Sequence, residues 1–170
     1  IHTSKGLEYP LVFCPYLWDG ALLRQHEDIS CHADDGTPLL DLGSEQLDVH
    51  RERARHERFA EKLRLTYVAL TRARDRLWLH WGPVDCKPKK DGTLGDSGLH
   101  SSALAWLLHG RGLPGEDALI ELAGHLQSLS PQGLRAEIEK LIASSKGQMV
   151  IQALREGEAS AAGEQRAPAP

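Results

Sequence analysis

Apolar positions along the chain fall into short runs and helical stripes. Leu11 to Pro15 is an apolar run closed by proline, the pattern of a short buried strand. Asp34-Asp35-Gly36-Thr37 is a turn signal, and Leu39-Leu40-Asp41-Leu42 reads as the returning strand of a hairpin. No glycine or proline interrupts Ser44 to Arg74, where arginine and glutamate alternate over the first turns, so a long helix with Ser44 as its cap is predicted. In its second half Phe59, Leu63, Tyr67 and Leu70 form one stripe, while Leu65, Val68 and Ala69 lie on another face. A helix apolar on more than one side is expected to be buried between layers. Arg76 to Trp81 then alternates like a strand and stops at Gly82-Pro83. Strand, long helix, strand predicts two parallel strands joined by a helical crossover, which is the rhythm of an α/β fold.

The second half of the chain reads differently. Pro83 to Gly98 is a polar loop carrying Lys87, Lys89 and Lys90, and three helices are predicted after it. The first spans Gly98 to His109 and the second Glu116 to Leu129, each with leucines at helical spacing. The third opens at Ser130-Pro131, a cap residue followed by proline at the first helical position, and carries Leu134, Ile138, Leu141 and Ile142. Residues 157–170 hold five alanines and two prolines but no large apolar side chain, the composition of a linker or tail.

Composition narrows the classes available. With 170 residues, 41% of them hydrophobic and 26% charged, there is room for one ordinary domain and enough apolar material for a core. No apolar run approaches the roughly 18 residues of a spanning helix, and a cytoplasmic protein without a membrane partner is expected. The opening at Ile1 rather than methionine reads as a piece of a longer polypeptide. The net charge of −4 argues against a chain coated for non-specific nucleic-acid binding. Between Arg51 and Arg76, however, nine basic residues face four acidic ones. The alternating Arg51 to Glu61 stretch is read as a solvated helix face rather than a phosphate-contacting stripe. Cys14, Cys31 and Cys86 are odd in number and widely spaced, which suits a reducing compartment. Cys31-His32 has no second pair at ligand spacing, so no metal site is expected, and His100 and the other scattered histidines are read as surface or core residues.

Two segments carry candidate chemistry. Ile1-His2-Thr3-Ser4-Lys5-Gly6-Leu7-Glu8-Tyr9-Pro10 places a Ser-Lys-Gly turn just before a strand, where backbone can approach a ligand and Lys5 and Glu8 offer one charge of each sign. Leu63 to Arg74 places Arg64, Val68 and Arg72 on one line of the predicted helix. An arginine at the end of a mostly buried helix has a stiff base and a free bidentate head, the kind of group that stabilises charge developing on a transferring phosphate. The alternative is an arginine that offsets the helix dipole with Asp75 as its partner. The chain holds no Gly-x-x-x-x-Gly-Lys-Ser/Thr loop and no Asp-Glu pair after an apolar strand.

Taken together, His2-x-x-Lys5-Gly6-Leu7-Glu8-Tyr9-Pro10 and the later Leu65-x-Tyr67-Val68-Ala69-Leu70-Thr71-Arg72-Ala73 resemble motifs V and VI of UvrD-like superfamily 1 DNA helicases. The surrounding text, including Leu99-His100-Ser101-Ser102-Ala103-Leu104, is most similar to the RecB-type branch, the beta subunit of exodeoxyribonuclease V. The resemblance is strong over residues 1–82 and weakens beyond. It implies an α/β, RecA-like second motor domain with a parallel sheet over residues 1–110, a helical C-terminal extension over 111–156 and a linker or disordered tail over 157–170.

The resemblance also implies roles. Arg72 would be the catalytic arginine finger on the γ-phosphate of ATP. Gly6 and Glu8 would line the nucleotide, with Glu8 on its sugar. His2, Thr3 and Lys5 would couple DNA to that site, and Arg64 would support the helix. ATP would be shared with a first motor domain and Mg2+ bound elsewhere in the parent, whose exonuclease domain also lies outside this chain. The implied partners are single- and double-stranded DNA and the other subunits of a RecBCD-type complex, in double-strand-break repair and recombination. Two alternatives stay open: a UvrD- or AddA-like helicase subunit, or a helical adaptor that docks a partner subunit with its motor residues idle.

Overall fold

The computed structural model describes residues 6–23, 27–82, 98–113 and 118–153. The lysine-bearing loop with Lys87, Lys89 and Lys90, the tail from residue 157, and Cys86 all lie outside them. In chain order the elements are β1 (Tyr9–Cys14), β2 (Ile29–His32), β3 (Pro38–Asp41), α1 (Leu47–Leu70), β4 (Ala73–Leu79), a 3-10 turn (Leu99–Ser101), α2 (Ala103–His109), α3 (Ala118–Ser128) and α4 (Pro131–Ser144).

The α/β rhythm is realised as expected. β1 and β4 pair in parallel, with Leu11 opposite Arg76 and Phe13 opposite Trp78, and α1 lies on the crossover between them. The register shifts between Tyr9 and Leu11, a local bulge near the start of β1. The hairpin also forms, with β2 and β3 pairing antiparallel around the Asp34–Thr37 turn. There Gly36 takes φ +82°, a left-handed conformation that favours glycine.

α1 is shorter at both ends than the unbroken periodicity suggests. Ser44 does not cap it: the helix begins at Leu47 and Gln46 holds the cap position without a side-chain bond. Ser44 is instead bound to Asp41, which receives its hydroxyl at 2.6 Å and its backbone N–H at 2.7 Å. At the far end the helix stops at Leu70, so Arg72 and Arg74 are not helical. The expectation that the second half is buried between layers is also corrected. Phe59 and Thr66 are buried, but Tyr67 is 67% exposed, because the described residues supply two parallel strands and no further layer over that side. The β1–β4 sheet shows the same openness: Phe13 and Trp78 stack at 4.5 Å on an exposed face.

The three predicted helices of the second half are present as the turn plus α2, then α3, then α4. Ser102 caps α2 by accepting the Ala105 N–H at 3.1 Å, and Ser130 caps α4 by accepting the Gly133 N–H at 3.1 Å, with Pro131 following. The core is continuous across residue 110: Leu99 and Ala105 are buried with Leu122, Leu126 and Leu134, against Trp18, Trp81 and Trp106. A second cluster joins α1 to this unit, with Phe59 meeting Trp106 edge-on at 6.3 Å beside Leu22 and Leu119. A third seats the hairpin on α1 through Ile29, Cys31 and Ala54. The 3-10 turn docks tightly on the chain at Gly20, where an added Cβ would lie 1.8 Å from the Gly98 carbonyl oxygen and Ser101 Oγ donates to the Gly20 carbonyl at 2.9 Å.

Candidate functional site

A two-residue link, Thr71-Arg72, turns α1 directly into β4. Thr71 closes the helix, its hydroxyl donating to the carbonyls of Tyr67 at 2.9 Å and Val68 at 3.2 Å. The strand therefore starts beside β1, and Arg72 stands at the mouth of β4 next to the turn that leads into β1. Two hydrogen bonds join the segments there. The Tyr9 N–H donates to the Arg72 carbonyl at 2.9 Å, and Arg72 Nη1 donates to the Leu7 carbonyl at 3.1 Å across 65 residues of sequence. The two segments singled out in the sequence are thus one structural unit at the N-terminal ends of both parallel strands.

The charge environment separates Arg72 from its neighbours. Asp75, the partner expected if Arg72 merely offset the helix dipole, is engaged by Arg74 at 3.0 and 3.1 Å. Arg64 does not share a helical line with Arg72, since the helix ends between them, and it pairs with Glu61 at 2.6 and 2.8 Å on the exposed surface. Elsewhere in the basic run Arg53 pairs with Asp34, Arg55 with Glu52, Arg58 with Glu27 and Lys62 with Asp19. These pairings agree with a solvated, ion-paired helix face. Among the described residues Arg72 pairs with no carboxylate, and its Nε is buried without a hydrogen-bond partner.

The turn before β1 is built for close backbone approach. Gly6 has φ +85°, and a Cβ added there would meet nothing within 4 Å among the described residues. Glu8 is exposed, and its charge acts on the nearby Arg74. Gly6, Glu8 and Arg72 are therefore brought to one end of the sheet, whereas His2, Thr3 and Lys5 lie outside the described residues. The guanidinium of Arg72 thus keeps its charge unpaired by any carboxylate among the described residues, and a planar fork of that kind can grip two oxygens of an anion. Among the described residues there is no group of three or more His, Cys, Asp and Glu side chains arranged to hold a metal. Cys31 is buried, where desolvation pushes its thiol up, and His32 Nδ1 lies 2.9 Å from Glu57 Oε2.

Two features escaped the sequence reading. The partner of Arg72 is a backbone carbonyl, which no side-chain pattern announces. Asp41, at the end of β3, accepts from the N–H of Gly43 at 2.8 Å and from His50 Nδ1 at 2.6 Å, besides its two bonds to Ser44. Those bonds, the Ser44 hydroxyl first, hold its carboxyl well below the usual carboxylate range.

Residues 1–82 match the UvrD-like helicase C-terminal domain family. The RecBCD enzyme subunit RecB of Escherichia coli (strain K12) is 38% identical over 109 residues, 64% of this chain and 9% of that protein. RecB of Mycobacterium tuberculosis (strain CDC 1551 / Oshkosh) is 34% identical over 88 residues, 49% of this chain and 8% of that protein. An ATP-dependent helicase/nuclease subunit of Desulfitobacterium hafniense (strain DSM 10664 / DCB-2) is 38% identical over 89 residues, 46% of this chain and 6% of that protein. The segment that carries Gly6, Leu7 and Arg72 belongs to the UvrD-like helicase C-terminal family. Within that family it is a RecB-type C-terminal region. The chain spans less than a tenth of the length of these relatives. No helix among the described residues is long and apolar enough to cross a membrane.

Proposed function

We propose that this chain is the RecA-like second motor domain, with its helical extension, of a longer ATP-dependent DNA helicase and nuclease subunit. Residues 1–110 close over an ATP held by a first motor domain outside this chain, and residues 111–156 buttress them. ATP supplies the driving chemistry with Mg2+ bound by that other domain. Arg72 stabilises charge developing on the γ-phosphate, and Gly6 and Glu8 line the nucleotide, with Glu8 on the sugar hydroxyls. His2, Thr3 and Lys5 relay the state of bound single-stranded DNA to the same turn. Partners in this reading are single- and double-stranded DNA and the other subunits of a RecBCD-type assembly, in double-strand-break repair.

One observation carries the reading most: the guanidinium of Arg72 is held by the Leu7 carbonyl and by no acid among the described residues. A structural arginine at a helix end is expected to find a carboxylate, and the available one is taken by Arg74. A group used on a transition state must instead be oriented while its charge stays uncommitted. The experiment is the single-stranded-DNA-stimulated ATPase of the parent polypeptide. Arg72→Ala is expected to lower kcat by about 10³–10⁵ with little change in KM for ATP. Arg72→Lys should not restore it, because an ammonium lacks the planar fork. The lost hydrogen bond costs only about 1 kcal/mol of stability, so the variants remain folded by thermal melt. A folded Ala variant with near-normal kcat would return Arg72 to a structural role.

A further inference from the structure

Far from Arg72, beyond the other end of β4, a partly buried cluster joins four parts of the chain. His109 closes α2 with its side chain 0% exposed. Its Nδ1 lies 2.6 Å from Glu137 Oε2 on α4, and His125 Nε2 on α3 lies 2.9 Å from Glu137 Oε1. The imidazole of His109 stacks on Trp81, in the segment leaving β4, with centroids 5.1 Å apart. One carboxylate therefore bridges two imidazoles, and the inner imidazole meets the indole.

The network assigns the protons. A carboxylate only accepts, so His109 carries hydrogen on Nδ1. Its Nε2 is buried and has no hydrogen-bond partner, which is tolerable for a lone pair and costly for an N–H. The charged groups acting on His109 are Glu137 from α4 and His125 from α3, and Trp81 is neutral. Arg135, also on α4, is engaged by Glu139. Burial pushes the His109 imidazolium below its ordinary value of 6.5, with Glu137 opposing that shift.

We propose that His109, Glu137, His125 and Trp81 form an acid-released latch, which fastens α2, α3 and α4 to one another and to the end of β4 only while His109 is neutral. A second proton creates a buried N–H with no acceptor, and the loosened corner lets water satisfy it. The sign follows from the depressed value. Between it and 6.5 the loosened state binds a proton that the latched state excludes, so the latch is full above 6.5 and fails as pH falls through the lowered value. This device is independent of the proposed role of Arg72, which lies at the opposite ends of the strands.

The test is hydrogen exchange on the 170-residue chain at about pH 7.5 and about pH 5.5, corrected for the intrinsic pH dependence of exchange. Protection in α2, α3 and α4 is expected to fall relative to α1 and the β1–β4 sheet, by up to about tenfold per pH unit in the titrating window. His109→Asn places an amide donor near Nδ1 and cannot titrate, so it should flatten that difference, whereas His125→Asn, which keeps the His109 imidazole, should retain it in α2 and α4. If His109→Asn does not fold, the wild-type exchange pattern decides, together with tryptophan fluorescence. Acidification should quench emission in the wild type, as imidazolium forms against indole, and the quenching step should vanish in Trp81→Phe. Equal loss of protection in α1, no loss in α2–α4, or the same pH profile in His109→Asn would overturn the latch, as would a quenching step that survives in Trp81→Phe.

Discussion

What distinguishes Arg72 from Arg74 and Arg64 is the neutrality of its partner. Arg74 and Arg64 spend their guanidinium groups on Asp75 and Glu61, while Arg72 rests on a peptide carbonyl that orients it without cancelling its charge. The residue before that carbonyl is Gly6, which has φ +85° and, among the described residues, free space where a side chain would begin. Any cost of replacing Gly6 is then conformational rather than steric. A left-handed conformation costs most residues about 1–2 kcal/mol, and asparagine tolerates it best. In the parent polypeptide, Gly6→Asn is expected to lower the ATPase kcat less than the β-branched Gly6→Val, which displaces the turn. Parallel kinetics on the two variants check this, and the reverse order would separate Gly6 from the positioning of Arg72. The residues of this site were legible as types at positions. Their mutual contact was not, because a side chain bonded to backbone across 65 residues leaves no periodic trace.

At the scale of elements, the joints matter more than the helices and strands they connect. Asp41 is the joint between hairpin and helix: its side chain is 1% exposed and receives Gly43, Ser44 and His50. Asp41→Ala would remove the acceptor those donors share and is expected to be destabilising, read as a lowered thermal midpoint of the chain. Because its folded pKa lies below the ordinary 3.8, Asp41 contributes stability that is present above that pH and lost as pH falls through the lowered value. Acid melts of wild type and Asp41→Ala should therefore converge as the carboxylate titrates, and a constant gap would contradict this. Ser44 and Ser130 were both legible as capping residues, and Ser130 does cap its helix, whereas the Ser102 cap interrupts a stretch read as one helix from Gly98. The difference is tertiary: Asp41 claims the Ser44 hydroxyl and pulls the helix start to Leu47. Likewise Leu65 and Val68 predict burial by periodicity, yet what covers a helix depends on neighbours that periodicity does not describe.

At the largest scale, the described residues form an open two-stranded parallel sheet backed by helices. Two parallel strands, a crossover helix and a helical unit sharing one core hold Leu7 and Arg72 at one end, while Tyr9, Leu11, Phe13 and Trp78 stay exposed on or beside the sheet. The parallel pairing was readable from strand–helix–strand order, because that connection demands a crossover. The His109 cluster was not, since 28 residues separate its two principal partners. The sequence of this chain holds no phosphate-cradling loop. The isolated 170 residues are accordingly expected to show no ATP turnover above background. Turnover by the purified chain that disappears with Arg72→Ala would mean the site is complete within it.

In the proposed function, Arg72 acts on the transition state of a site completed elsewhere. A group with that role strengthens binding of a transition-state mimic far more than binding of the ground state. The most direct measurement is trapping of ADP with aluminium fluoride by the parent polypeptide, compared with ADP alone, in wild type and Arg72→Ala. The variant is expected to bind ADP nearly as well as wild type but to fail to form the fluoride complex. Equal trapping by both proteins would contradict it.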